Sequence, residues 1–173
     1  GGFEMIVLAP ATVQEAVDLT YKAFDLADRD RNPVLILADG VIGTMMEPVE
    51  LPEMKSEEEV AAIRESKKKW ACIGHELDLP NRSWIEPGQW DTNKMQRVNE
   101  EAAALYASWE KDVMVEEYCT EDAEVVIAAY GISGRIAKSV VEMMRAEGKK
   151  VGLIRPITVH PFPKAAFDKL DYG

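Results

Sequence analysis

The chain has 173 residues and a formal net charge of -11, which is length enough for one ordinary domain or two small ones. That acidic balance repels phosphate backbones and anionic lipid and argues against nucleic acid and membrane surfaces as partners. A hydrophobic share of 47% suits a globular fold, and no apolar run approaches the roughly 18 residues a membrane span needs.

The first residues, Gly1-Gly2-Phe3-Glu4, carry neither an initiator Met nor the basic and long apolar segments of a secretory leader. The last, Lys169 to Gly173, follow soon after a helical start, and both ends read as cuts in a longer polypeptide. Met5-Ile6-Val7-Leu8-Ala9 is a continuous apolar run, the pattern of a strand buried on both faces. Pro10 stops it. Thr12-Val13-Gln14-Glu15 has the form of a capping box, the Thr hydroxyl accepting from the Glu15 amide and the Glu15 side chain reaching back. Val13, Ala16, Val17, Thr20, Phe24 and Ala27 then recur at helical spacing and predict the buried face of a helix. Pro33 ends that helix by disfavouring helical geometry at Asn32. Val34 to Ala38 is a second fully apolar strand, so the first 38 residues read as a parallel βαβ unit with a right-handed crossover.

Asp39-Gly40 closes the second strand. From Val41 to Trp90 periodicity is weak, and Pro48, Pro52, Pro80 and Pro87 interrupt it. One exposed helix fits between Glu57 and Lys69, acidic at its start and basic at its end, as the helix dipole favours. The rest reads as a connection between domains that wraps on a partner surface, with Trp84 and Trp90 as its anchors and Trp70 either a third anchor or, as favoured, packed on this same chain. Cys72 and His75 have the spacing of half a zinc site, but the only other His is His160, so no metal ligand is assigned. The two cysteines, Cys72 and Cys119, do not form a CxxC pair, and a reducing cytoplasm is the expected compartment. A helix is expected from Asn93 to Val115. Its stripe of Met95, Val98, Ala102, Leu105, Trp109 and Val113 packs on its own domain or forms a coiled-coil-like seam.

A second βαβ unit follows. Val125 to Ala129 is its first strand, Ser133 the expected N-cap, and Ile136, Val140, Met143 and Met144 the expected buried face of a helix running to Glu147. Gly148 fits the C-terminal cap, and Val151 to Ile154 form the next strand. Pro156, Pro161 and Pro163 predict an extended, irregular passage. The strand-glycine-helix layout at Gly131 invites a nucleotide. However, a dinucleotide fingerprint needs glycine where Ser133 and Ile136 stand, and an acid where Arg155 stands. What remains is a weak cofactor contact at Gly131, Ser133 and Gly134. As an alternative, a stand-alone anion or nucleotide module could use these amides with Arg135 and Arg155; a structural dimerisation domain is a further alternative. Neither His75 nor His160 sits in a triad pattern, and no nucleophile elbow is present. No catalytic residue is assigned. The fold class is α/β, built on parallel-sheet βαβ units.

Two long segments carry a family resemblance. "IVLAPATVQEAVDLTYKAFDLADRDRNPVLILADGVIGTMMEPVE" resembles the end of the pyrimidine-binding domain in the alpha subunit of 2-oxoacid:ferredoxin oxidoreductases. "EEYCTEDAEVVIAAYGISGRIAKSVVEMMRAEGKKVGLIRPITVHPFP" resembles the transketolase C-terminal-type domain that follows it, and "KKWACIG" falls where the connection belongs. The wording "ILADGVIGTMMEPV" is most similar to the branched-chain, 2-oxoisovalerate type, while residues 73–99 depart more. The resemblance implies a pyrimidine-domain end at 1–52, a connection at 53–91 and a truncated transketolase C-terminal-like domain at 92–173. It implies decarboxylation of a 2-oxoacid on thiamine diphosphate, electrons passing through iron–sulfur clusters to ferredoxin, and the acyl group going to coenzyme A. Thiamine diphosphate, Mg and the clusters are implied for the full complex, with beta, gamma and ferredoxin-like delta subunits as partners. None of these cofactors is expected on this chain alone. The cofactor-activating Glu would precede Gly1, and two distant cysteines cannot supply the four thiolates of a cluster. The resemblance makes Asp39, Gly40, Thr44 and Glu47 candidates for lining a domain junction near the substrate channel.

Overall fold

The computed structural model describes residues 3–68, 70–71 and 91–171. The expectations for Cys72, His75, Trp84 and Trp90 lie outside the described residues. The chain forms two compact units, Gly1–Leu51 with Ala102–Gly173, and Pro52–Glu101.

In the first unit, β1 (Ile6–Leu8) leads into α1 (Val13–Asp30) and then β2 (Val34–Ile36). β1 and β2 are parallel, with Ile6 beside Val34 and Leu8 beside Ile36, as the βαβ reading expects. Thr12 caps α1 by accepting from the Glu15 amide at 3.0 Å. The Glu15 carboxylate reaches one residue past the cap, to the Ala11 amide at 2.8 Å. The buried face of α1 differs from the expected one. Leu19, Ala23 and Leu26 are buried, whereas Thr20 and Phe24 are exposed. Both stripes have helical spacing, and the sheet and Trp109 select the inner one. β2 is also not covered on both faces, since Leu35 stands in solvent. A short helix, α2 (Gly40–Thr44), follows directly.

The second unit carries α3 (Glu57–Lys67), closed by a capping box between Ser56 and Glu59 and burying none of its residues. α4 (Thr92–Ala107) starts in this unit and ends in the first. It is shorter than the periodicity predicts. The chain tightens into a 3₁₀ turn at Ser108–Asp112 and then becomes a strand, β3 (Val115–Tyr118). Trp109 explains the early stop. It is fully buried against Ile6, Leu8, Leu19 and Leu26, and its Nε1 donates to Asp30 Oδ2 at 2.9 Å. Leu105 also packs on this core, which favours packing on the chain's own domain for that part of the stripe.

β4 (Val125–Ala128), α5 (Gly131–Ala146) and β5 (Val151–Pro156) form the second βαβ unit. β4 is parallel to β5, β3 is antiparallel to it, and the sheet order is β3-β5-β4. All six residues of β5 are buried. The passage beyond Pro156 is not irregular. β6 (Thr158–His160) pairs antiparallel with β1 and completes the order β2-β1-β6. Buried Thr158 steadies this crossing, its hydroxyl accepting from the Met114 amide at 2.9 Å. A last turn, α6 (Lys164–Phe167), follows.

α5 corrects two expectations. Its N-cap is Tyr130, without a side-chain cap bond, and Ser133 is an exposed residue of the first turn. Its buried face is Gly131, Gly134, Ala137 and Val141, while Ile136 and Met143 are exposed. The reason is close approach: a Cβ on Gly134 would stand 2.8 Å from Arg155 Cδ and 3.0 Å from the Ala129 carbonyl. The small residues face the sheet, and the bulky ones are turned away.

Candidate functional site

The loop after β2 and the turn before α5 are 90 or so residues apart in sequence and meet in the fold. Asp39 leaves β2 in an extended conformation and caps α2, its Oδ1 accepting from the Val41 amide at 2.9 Å and the Ile42 amide at 3.0 Å. Its other oxygen, Oδ2, accepts from the Ile132 amide at 3.0 Å, in the first turn of α5. One carboxylate therefore holds two helix starts, where unpaired amides and the helix dipole favour negative charge. The Ile42 amide first, with those of Ile132 and Val41, holds the Asp39 carboxyl below the ordinary carboxylate range.

Gly131 makes this approach possible. Its φ is +59°, in the left-handed region that glycine adopts without penalty. A Cβ there would also lie 3.2 Å from Asp39 Oδ2. A second tie runs beside the first. Arg135 Nη2 donates to Glu47 Oε1 at 2.7 Å, and this bond draws the Glu47 carboxyl down. The arm carrying Glu47 is fastened further on. The Gln14 side-chain amide donates to the Glu50 carbonyl at 2.9 Å and accepts from the Glu50 amide at 2.8 Å, as a neighbouring strand would.

Behind Gly134 lies Arg155, almost fully buried in β5. Its guanidinium grips Glu15 with two parallel bonds of 2.9 and 2.7 Å and donates from Nε to Glu116 at 2.6 Å. Glu116 also takes the Lys138 ammonium. Burial works to raise the Glu116 carboxyl, but Lys138 and Arg155 outweigh it and the net direction is down.

The candidates read from sequence thus converge. Asp39, Glu47, Gly131 and Gly134 belong to one junction. Gly40 opens α2, Thr44 turns its hydroxyl back to the Gly40 carbonyl at 2.9 Å, and Ser133 is an exposed residue in the first turn of α5. The positive groups of the alternative anion site face carboxylates of the same chain: the Ile132 amide faces Asp39, Arg135 faces Glu47, and Arg155 faces Glu15 and Glu116. Glu116 and Lys138 are not singled out in the sequence, and Glu15 is singled out there only as a capping residue. The only hint was a charged residue, Arg155, at the end of an otherwise apolar strand.

The cofactors the resemblance implies are thiamine diphosphate with its Mg ion and iron–sulfur clusters. Among the described residues, no group of three or more His, Cys, Asp or Glu side chains is placed to hold a metal ion. The chain's two cysteines fall short of the four thiolates of an iron–sulfur cluster. The Ile132 amide, a natural seat for an anion such as a phosphate, is taken by Asp39 Oδ2. Among the described residues, this junction therefore presents no ligand set for the metal ion or the cluster.

Two small sheets joined through β5 and β6 make this an α/β fold. The fold matches a solved structure of the 2-oxoglutarate:ferredoxin oxidoreductase from Magnetococcus marinus with 2-oxoglutarate, coenzyme A and succinyl-CoA bound. The TM-score is 0.68 over 97% of this chain and 33% of that one, at 19% identity. The family model for the thiamine diphosphate-binding region of pyruvate flavodoxin/ferredoxin oxidoreductases matches residues 2–145, and the one for pyruvate:ferredoxin oxidoreductase core domain II matches residues 123–172. The chain belongs to this family. Among its relatives is the ketoisovalerate oxidoreductase subunit VorB of Methanothermobacter marburgensis, 44% identical over 100% of this chain and 47% of its own length. Another is the 2-oxoglutarate synthase subunit KorA of Methanocaldococcus jannaschii, 30% identical over 98% of this chain and 50% of its own length. The chain spans about half the length of these curated relatives. No helix of the described residues is long and apolar enough to cross a membrane.

Proposed function

We propose that the chain is a segment of the alpha-type subunit of a thiamine diphosphate-dependent 2-oxoacid:ferredoxin oxidoreductase acting on a branched-chain 2-oxoacid. The observation that carries this reading is its kinship along the whole chain: 44% identity to the ketoisovalerate subunit against 30% to the 2-oxoglutarate subunit. In the proposed reaction the 2-oxoacid loses carbon dioxide, the acyl carbon passes to the coenzyme A thiol, and electrons leave to ferredoxin. Thiamine diphosphate, Mg and iron–sulfur clusters act in the full complex, with beta, gamma and ferredoxin-like delta subunits, in the cytoplasm. This chain alone is inactive.

Its contribution is the junction. Residues 1–52 end the pyrimidine-binding domain, 53–91 connect, and 92–173 belong to the transketolase C-terminal-like domain. Asp39 and Glu47 hold the loop from Gly40 to Thr44 against the start of α5, so that Asp39, Gly40, Thr44 and Glu47 line the substrate channel at a fixed position. Gly131, Ser133 and Gly134 form the opposite wall, with room for a weak cofactor contact at exposed Ser133.

The test is reconstitution. The complete subunit is co-expressed with its partner subunits, and ferredoxin reduction by 2-oxoisovalerate, pyruvate and 2-oxoglutarate is followed. The expected result is thiamine- and coenzyme A-dependent turnover, fastest with 2-oxoisovalerate, that stops when residues 1–173 are deleted. Turnover that survives the deletion, or no turnover with any of the three acids, overturns the proposal.

A further inference from the structure

Arg135 faces two unlike acceptors on the arm that leaves α2. Its Nη2 donates to Glu47 Oε1 at 2.7 Å, and its Nη1 donates to the sulfur of Met45 at 3.4 Å. A guanidinium holds its donors in one rigid plane, so the two contacts are kept or lost together. Glu47 has a further partner on the other side of the junction, the Val13 amide at the start of α1. Met45 is the C-cap of α2, and its amide donates to the Val41 carbonyl at 3.0 Å. Its side chain is half-buried, whereas Met46 beside it is 96% exposed.

A thioether is a weak acceptor, and it is open to oxidation. Hydrogen peroxide transfers one oxygen to it. The O–O bond breaks, a sulfur lone pair forms the new S–O bond, and the remaining oxygen leaves as water. The sulfur is oxidised by two electrons and the peroxide reduced by two. The sulfoxide is polar, and its oxygen competes for the same guanidinium. That oxygen does not fit the contact as it stands. An N–H···O bond alone spans about 2.9 Å and the S–O bond adds to it, while sulfur and Nη1 are only 3.4 Å apart. The Arg135 side chain is 40% exposed and has the freer path.

We infer that Met45 is a reversible oxidation site whose sulfoxide releases Arg135 from Glu47. The Asp39 bond to the Ile132 amide stays in place, and Glu47 stays with α1. The arm thus loses its fastening to α5 between the α2 cap and the Gln14–Glu50 bonds. As a control on the substrate channel this rests on the reading of Glu47 and the Gly40–Thr44 loop as its wall; the oxidation and the release do not.

Peptide mapping by mass spectrometry tests the inference without measuring turnover, so its failure is distinct from a failure of the oxidoreductase reading. The 173-residue chain, and the complete subunit as purified with its partners, are treated with graded hydrogen peroxide and then with phenylglyoxal, which modifies accessible guanidinium groups. Met46 is expected to convert first and Met45 after it. Once Met45 is converted, Arg135 modification is expected to rise several-fold. A sample treated with methionine sulfoxide reductases before the phenylglyoxal is expected to react as the untreated one. In Met45→Leu peroxide is expected to leave Arg135 modification unaltered, whereas Met46→Leu keeps the rise. Complete Met45 sulfoxide with no gain at Arg135 overturns the inference, as does an equal gain in peroxide-treated Met45→Leu. So does a Met45 that stays reduced in the complete subunit at a dose that converts it fully in the chain.

Discussion

At the residue scale, Asp39 shows how one side chain can have two duties that look like one. As a helix cap it is unremarkable, because Asn and Asp serve that position equally well. Here, however, both carboxylate oxygens accept, Oδ1 from Val41 and Ile42 and Oδ2 from Ile132. An Asn offers one accepting oxygen and turns an NH2 group to the other side. In Asp39→Asn the amide can satisfy α2 or α5, and its NH2 then meets the N–H of the other. Asp39→Asn is therefore expected to lower the thermal midpoint nearly as much as Asp39→Ala, followed by circular dichroism. A midpoint equal to the parent's would mean that the Ile132 bond contributes nothing. Asp39 and Gly131 could each be singled out in the sequence, as a strand-end acid and a turn glycine. Their meeting could not, because nothing local to either residue encodes a partner more than 90 positions away.

The elements repeat that lesson with a different cause. The spans of α1 and α5 follow from capping, breakers and periodicity, and their parallel crossovers follow from handedness. Their inward faces do not. On both helices the expected face was the one with the larger apolar residues, including Phe24, Ile136 and Met143. The structure turns Leu19, Ala23 and Leu26 inward on α1, and Gly134, Ala137 and Val141 inward on α5. Periodicity identifies stripes, and close approach to a strand selects the one that fits. β3 and β6 were also illegible, since strands of three or four residues beside prolines and acids carry almost no pattern. β3 matters because it brings Glu116 to Arg155. That guanidinium joins the first turn of α1, through Glu15, to β3 and β5. Breaking a buried pair from one side costs more than the pair itself contributes, because the partner charge stays behind. Arg155→Met is expected to lose about 3 kcal/mol in urea unfolding, with Glu15→Gln losing less. A neutral or stabilising Arg155→Met would show that apolar packing replaces the network at no cost.

For the whole molecule, pH sets two effects against each other. The chain carries a net charge of -11, and protonating carboxylates relieves its self-repulsion, which favours the folded state as pH falls. Against this stand carboxyls held below their ordinary range, among them four of the first unit. Asp30 is lowered by Arg29, Asp39 by the Ile42, Ile132 and Val41 amides, and Glu47 by Arg135. Glu116 is lowered by Lys138 and Arg155 against the pull of burial. A carboxyl whose folded pKa lies below its unfolded value binds fewer protons in the folded state. Its contribution is present above the unfolded value, near 4, and is lost as pH falls through the folded one. Three of the four, Asp30, Asp39 and Glu47, tie residues 1–51 to residues 102–171, through Trp109, Ile132 and Arg135 respectively. Acid therefore acts where the two sequence segments of the first unit are joined. Self-repulsion is screened by salt, whereas partly buried pairs such as those of Asp30 and Glu116 are screened much less, so the held carboxyls are expected to dominate at about 0.15 M salt. The urea midpoint should stay flat from about pH 7 to pH 5 and fall steeply towards pH 3, with more than one proton taken up on unfolding. Urea titrations at half-unit pH steps read both quantities directly. A midpoint that rises steadily through the same window would place the stability of the unit in its general charge balance, with the junction carboxylates contributing little.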